Sequence, residues 1–268
     1  MKDLRSHYGP WAAIAGSASG LGEAFARNLA AQGLNLVMID KDADTLTRLS
    51  DILEKKHFIE TRTVVLDLSE ENASRQVLSQ TGATGCHLLI YNAAYSHILP
   101  FLEYEPGALN RFIDTNCRTP LRLAYGFSRQ IRDAGRGGIV LMSSLAGLFG
   151  THLVAPYSAS KAFNLTLAEA LHYELRPYGI DVMSCLAGAT ATPAFLKTNP
   201  RRNFPAASVM DPQHVADAAL KQLGRKTLYI PGYSNRLTYF LLQRLMPRRM
   251  AAGIVNRVMG RMYKQLND

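Results

Sequence analysis

The 268-residue chain is 47% hydrophobic, enough for a sizeable core, yet no stretch approaches the roughly 18 to 20 apolar residues of a membrane-crossing helix. A formal charge of +9 and a pI near 9.6 would suit an acidic partner, but no recognition motif or aromatic-interleaved basic run accompanies them, which disfavours nucleic acid. Cys86, Cys117 and Cys185 are odd in number and lack metal-type spacing, and Met1–Pro10 has no signal-like apolar core, so reduced core thiols, no metal site and a cytoplasmic location are expected.

In chain order, Trp11–Ala15 reads as a buried strand and Leu21–Ala31 as a helix of small and apolar residues. Between them, Gly16-Ser17-Ala18-Ser19-Gly20-Leu21-Gly22 forms a strand-to-helix turn whose missing side chains let backbone N–H groups and a helix N-terminus approach a pyrophosphate. A second strand, Asn35–Ile39, ends in Asp40, where a carboxylate can accept from a ribose hydroxyl. Further strands are predicted at Thr63–Leu66, Cys86–Tyr91, Gly138–Met142, Ile180–Leu186 and Thr227–Ile230, with helical stretches between them. This alternation predicts an α/β fold, a doubly wound parallel sheet of Rossmann type with seven strands. Ligands then belong at the carboxyl ends of the strands, where Gly16, Asp40, Asp67, Asn92, Ser144 and Gly188 fall.

Tyr157 and Lys161 are four residues apart at the start of a helical pattern, so they share a face, and Ser144 lies thirteen residues upstream. An ammonium beside a phenol favours phenolate and lowers a pKa that is ordinarily about 10. Tyr157 could then exchange a proton with a carbonyl or alcohol oxygen that Ser144 also binds.

Together these residues resemble the short-chain dehydrogenase/reductase family over nearly the whole chain. Gly16, Gly20 and Gly22 match its glycine fingerprint, and Asp67 and Leu68 match the pair that flanks the adenine. Asn92, Ala93 and Ala94 match its Asn-Ala-Gly segment, and Gly188 to Thr192 resemble the segment covering the nicotinamide carboxamide. Ser144, Tyr157, Lys161 and Asn116 match the catalytic positions, with Asn116 implied to hold a water of the proton relay. The resemblance implies cofactor contacts from Gly16, Ser19, Gly20, Leu21, Gly22, Asp40, Lys41, Asp67, Leu68, Asn92, Ala93, Ala94, Gly188, Thr190 and Thr192. Lys161 joins these through the nicotinamide ribose, and Tyr157 stands beside it. Three residues depart from the pattern: Ala15 for threonine, Ala94 for glycine and Ala187 for proline. None is a proton-transfer group.

Asp40 would repel a 2′-phosphate, and Ser19 supplies no positive charge, so NAD is preferred; Lys41 pulls toward NADP, the alternative. Residues 1–235 read as one dinucleotide-binding and catalytic domain. Its segment at about 190–212, with Phe195, Leu196, Phe204 and Val209 among Pro193, Pro200 and Pro205, reads as a mobile apolar lid. The lid suggests a hydrophobic carbonyl or secondary alcohol such as an acyl chain, sterol or retinoid. His97 and His152 near the cleft rim read as surface or packing residues. Outward Leu121, Leu165 and Leu167 suggest a homodimer or homotetramer through the long helices, which form an interface in the family.

Residues 236–268 form a basic appendage of the same domain, with Arg236, Arg244, Arg248, Arg249, Arg257, Arg261 and Lys264 against one acid, Asp268. Met250, Ile254, Val258, Met262 and Leu266 recur every fourth residue, an amphipathic pattern that fits a helix docked on the core, on a sister subunit or on the substrate mouth or, alternatively, peripheral contact with an anionic membrane. The rival to an NAD(P)-dependent oxidoreductase is a non-catalytic, dinucleotide-binding regulator or scaffold.

Overall fold

Seven parallel strands in the order β3-β2-β1-β4-β5-β6-β7 organise the computed structural model, which describes residues 3–199 and 209–263. The strands are β1 (Trp11–Ala15), β2 (Asn35–Asp40), β3 (Thr61–Val65), β4 (Cys86–Tyr91), β5 (Gly137–Ser144), β6 (Ile180–Ala187) and β7 (Leu228–Tyr229). The predicted doubly wound fold is therefore present, with strand ends displaced by a residue or two. The helices are α1 (Leu4–Tyr8), α2 (Gly20–Ala31), α3 (Ala43–His57), α4 (Ala73–Thr84), α5 (Pro106–Ile113), α6 (Thr119–Ile131), α7 (Ala155–Leu175), α8 (Pro193–Lys197), α9 (Pro212–Gln222), α10 (Tyr233–Phe240) and α11 (Arg248–Met262).

Strand side chains alternate between faces, so each strand feeds two cores. Ala12 and Ile14, Leu36 and Met38, and Leu88 and Ile90 meet Phe25 and Leu29 of α2, Leu49 of α3 and Val215 of α9. Ala13, Val37, Leu89, Tyr91, Ile139 and Leu141 face the other way, onto Val77 of α4, Leu123 and Phe127 of α6 and Ala168 of α7. Burial on both faces is why these strands read as unbroken apolar runs rather than alternating ones. Phe127 is fully buried, and truncating it to alanine would cost about 3–5 kcal/mol. Cys86, Cys117 and Cys185 are free thiols, the first and last buried.

A third cluster fastens the C-terminal helices to the carboxyl end of the sheet. Leu148, Phe149, Leu186 and Ile230 receive Ala251 of α11, flanked by Tyr239, Leu242, Met246 and Val255. Arg248 donates to the Leu148 carbonyl at 3.3 Å with its guanidinium over Phe149, and Asn256 donates to the Gly150 carbonyl at 2.9 Å. The docked face is thus not the expected stripe: Met250 and Ile254 point outward, and small Ala251 lets α11 approach the core. Lys264, Leu266 and Asp268 lie outside the described residues. Leu165 and Leu167 also depart from expectation, because they pack against the third and second clusters, leaving Leu121 exposed. Among the described residues no helix is long and apolar enough to cross a membrane.

Candidate active site

The sheet order reverses between β1 and β4, and the crevice beyond their carboxyl ends is where doubly wound folds bind ligands. A cavity of about 640 Å³ opens there. It is lined by Gly16, Ser19, Gly20, Leu21, Asp40, Lys41, Asp67, Leu68, Asn92, Ala93 and Ala94, and equally by Ser144, Tyr157, Lys161, Gly188, Thr190 and Thr192. Gly22 and Asn116, also expected at the site, do not line it.

Close packing dictates the glycines. Gly16 has φ +79°, and a Cβ there would lie 2.7 Å from the Ala93 Cα. A Cβ on Gly22 would lie 1.7 Å from the Gly16 carbonyl oxygen, so Gly22 serves the approach of α2 to the turn and not the cavity wall. Asn92 Nδ2 donates to that same Gly16 carbonyl at 2.9 Å, tying the end of β4 to the turn. Ser19 is the N-cap of α2 but makes no side-chain capping bond, so its hydroxyl does not occupy the first-turn amides. A glycine-walled turn opening onto uncapped amides fits the pyrophosphate of a dinucleotide.

Asp40 accepts from the backbone N–H of Ala18 at 3.0 Å and of Lys41 at 2.8 Å, which holds its carboxylate at the cavity edge. Lys41 is largely solvated, with its ammonium 3.9 Å from Asp67. Asp67 accepts from the amide and hydroxyl of Ser69. Burial works to raise its pKa, but the Ser69 bonds, with Lys41 and Arg111, outweigh it and hold the carboxyl below its usual range.

Ser144 ends β5 in extended conformation, and its Oγ accepts from Ala146 N–H at 3.1 Å, leaving the hydroxyl proton to donate elsewhere. Tyr157 and Lys161 come from the first two turns of α7, anchored to β5 by the Ser143 hydroxyl on the Lys161 carbonyl at 2.7 Å. The Ser143 proton is thus committed to the backbone. Lys161 is only 3% exposed; its Nζ donates to the Met142 carbonyl at 2.9 Å and lies 5.6 Å from the Tyr157 ring centroid. Burial brings this ammonium down to about 8.

The lowered phenol pKa expected from the pair is not found. Burial pushes Tyr157 above its ordinary value, and the Ser144 hydrogen bond only partly opposes it. The physical reason is burial of the phenol, which outweighs the Ser144 bond. Asn116 sits in a π-helical turn, Asp114–Arg118, where its side chain accepts from Tyr95 N–H at 2.7 Å and donates to the Tyr95 carbonyl at 2.9 Å and Ser160 Oγ at 3.0 Å. Its backbone carbonyl accepts from Asn164 at 2.9 Å. These bonds clamp the loop after β4 and keep Asn116 out of the cavity.

Sequence reasoning allowed the C-terminal helix to pack on the substrate mouth but assigned none of its residues to the site. Asn235 and Thr238 of α10, Met259 and Met262 of α11, and Tyr263 line the same cavity as Tyr157. Phe195 of α8 lines it too, while the outward-facing Leu196 and Val209 of the expected lid are about half exposed. Phe204, Pro200 and Pro205 lie outside the described residues. His97 stacks on Tyr95, and the His152 amide donates to Asn256; neither histidine lines the cavity.

Comparison with known proteins agrees with this geometry. The family model for short chain dehydrogenases matches residues 10–203. A 7beta-hydroxysteroid dehydrogenase of Clostridium sardiniense is 28% identical, with 87% of this chain and 90% of that protein aligned. A very-long-chain 3-oxoacyl-CoA reductase of Aspergillus fumigatus is 32% identical over 87% of this chain and 68% of its own length. Among solved structures, a short-chain dehydrogenase from Sphingobium yanoikuyae in complex with NADPH superposes with a TM-score of 0.80, at 27% identity, covering 90% of this chain and 95% of that one. The chain belongs to the short-chain dehydrogenase/reductase family. It is an oxidoreductase of hydroxyl and carbonyl groups.

Proposed function

We propose that the protein reduces a bulky hydrophobic ketone, or oxidises the matching secondary alcohol, with Tyr157 as general acid and base. The observation that carries this reading is the convergence of Ser144, Tyr157 and Lys161 on the cavity that also holds the glycine turn. When bound, a nicotinamide dinucleotide supplies or accepts the hydride at the substrate carbon. Gly16, Ser19, Gly20 and Leu21 would receive its pyrophosphate, Asp40 its adenosine ribose, Asp67 and Leu68 its adenine, and Asn92 to Ala94 and Gly188 to Thr192 its nicotinamide half.

In reduction, Tyr157 gives its proton to the substrate oxygen and Ser144 donates a hydrogen bond to the same atom. The Lys161 ammonium would stabilise the phenolate left behind and would bind the nicotinamide ribose. Asn116 positions the loop after β4 from behind. Phe195, Met259, Met262 and Tyr263 would enclose the apolar body of the substrate, which suits the steroid and long acyl classes named for its relatives.

For the cofactor, Asp40 favours NAD: its carboxylate, held at the cavity edge, would repel a 2′-phosphate, and Lys41 lies within 3.9 Å of Asp67. The NADPH complex of a structural relative makes NADP the competing choice. One catalytic domain with residues 236–268 as its appendage, assembled as a dimer through the α6 face that exposes Leu121 and Tyr125, completes the reading. A panel of steroid, acyl and small ketones assayed with both cofactors at the nicotinamide absorbance tests it. Turnover of bulky apolar ketones with NADH supports the proposal, and turnover confined to small polar ketones would contradict the substrate class.

A further inference from the structure

The helices that wall the cavity on one side present a different surface on the other. Between Tyr233 and Tyr263 the chain carries six arginines and no acidic residue. Seven of the nineteen exposed large apolar side chains among the described residues fall between Tyr233 and Ile254. On α10, Asn235 and Thr238 face the cavity, while Tyr233, Leu237, Phe240 and Leu241 recur at helical spacing on the outward side. Leu245 in the following turn and Met250 on α11 extend this surface, with Tyr233 75%, Leu245 63% and Met250 59% exposed. Arg236, Arg244, Arg249 and Arg257 are exposed among them.

We infer that this outward face of α10 and α11 is a docking surface for an anionic lipid bilayer, on which the enzyme lies without spanning it. Charge decides the occupant. A second copy packed symmetrically on the face would set arginines against arginines with no carboxylate to pair them. Nucleic acid would match the charge and leave the exposed leucines and Phe240 without an apolar partner. Anionic headgroups match the arginines, and the acyl boundary accepts the apolar side chains. Each arginine near such a surface contributes about 1 kcal/mol, a factor of roughly five in binding. Because the same helices wall the cavity, a lipophilic substrate would reach it from the bilayer. That consequence rests on the substrate class proposed above; the docking surface does not.

The test is co-sedimentation of the full-length protein with vesicles of phosphatidylcholine alone or with about a third phosphatidylglycerol. Pelleting is expected only with the anionic vesicles, falling at least tenfold as salt rises from ~0.05 to ~0.5 M. The pair Arg244→Glu and Arg257→Glu should weaken binding at least tenfold at low salt, with turnover of a water-soluble ketone and the melting temperature unchanged. If that pair does not fold, Arg244→Gln with Arg257→Gln should show a smaller loss in the same direction. Leu237→Ser with Leu245→Ser should abolish the part of the binding that survives high salt. Absence of lipid-dependent pelleting by wild type at low salt overturns the inference, as does undiminished binding of the charge variants. A shift from dimer to monomer in the leucine variant, with no vesicle binding by wild type, would assign the face to a second copy. Since pelleting is read without turnover, failure here is distinct from failure of the catalytic reading.

Discussion

Tyr263 donates its phenolic proton to Thr198 Oγ1 across 2.9 Å, because the Thr198 hydroxyl commits its own proton to the Phe195 carbonyl at 2.7 Å. This bond ties the C-cap residue of α11 to the end of α8, whose start is capped by Thr192 in the cavity wall. Tyr263 and Thr192, both in the cavity wall, therefore hold the two ends of α8.

Tyr263→Phe keeps the ring and deletes the donor. A neutral hydrogen bond contributes about 0.5–1.5 kcal/mol, so KM for a bulky apolar ketone should rise roughly two- to tenfold with kcat little changed. KM for a small ketone should not move. Thr198→Val should reproduce the effect, and the double variant should add little to either. Steady-state kinetics on the four proteins checks this.

Asp40→Ala should weaken NAD and strengthen NADP binding, since it removes both a ribose acceptor and a charge facing the 2′ position. It also leaves the Ala18, Lys41 and Asp42 amides without their acceptor, so a small drop in melting temperature should accompany the switch. Calorimetric titration of both cofactors reads the first effect, and thermal unfolding the second. Wild type binding NADPH at least about tenfold, or 1.4 kcal/mol, tighter than NADH would show that Lys41 governs the choice.

The pH dependence follows from Lys161. Its folded value, about 8, lies below the ordinary 10.5. Below about 8 the folded protein holds a buried charge that the unfolded chain holds in water, so Lys161 opposes folding there, and the opposition fades as pH rises toward 10.5. Catalysis runs the other way. Tyr157 is pushed upward and keeps its proton, whereas Lys161 loses the charge that stabilises phenolate. The kcat/KM for ketone reduction should be level below about pH 8 and fall above it.

Gly22→Ala would place a methyl 1.7 Å from the backbone oxygen of Gly16. Neither backbone can yield without opening the turn, so overpacking of about 1–3 kcal/mol and a large loss of cofactor affinity are expected. Chemical denaturation with and without cofactor measures both.

The glycine turn, Asp40 and the Ser144, Tyr157 and Lys161 set were legible because each depends on short spacings within one strand-to-helix or loop-to-helix unit. The two-sided burial of β1, β2 and β4 was legible for the same reason. Position on α11 was not: Met250, Ile254, Val258 and Met262 form one stripe, Ala251, Val255 and Met259 the next, and hydropathy favours the first. The core chose the second because Ala251 permits close approach to Leu148 and Phe149, a contact a hundred residues away in sequence. For Asn116 and Lys161 the partners, the Tyr95 backbone and the Met142 carbonyl, come from other elements that no local pattern names.

The most direct test of the central claim is Tyr157→Phe, which removes the phenolic oxygen and leaves the ring in place. Reduction of a bulky hydrophobic ketone should be followed at the nicotinamide absorbance, alongside cofactor binding by calorimetry. The account predicts a fall in kcat of roughly 10²- to 10⁴-fold, the usual contribution of a positioned proton donor, with cofactor affinity close to wild type. Turnover in Tyr157→Phe within about twofold of wild type would contradict it, because proton transfer would then come from another group.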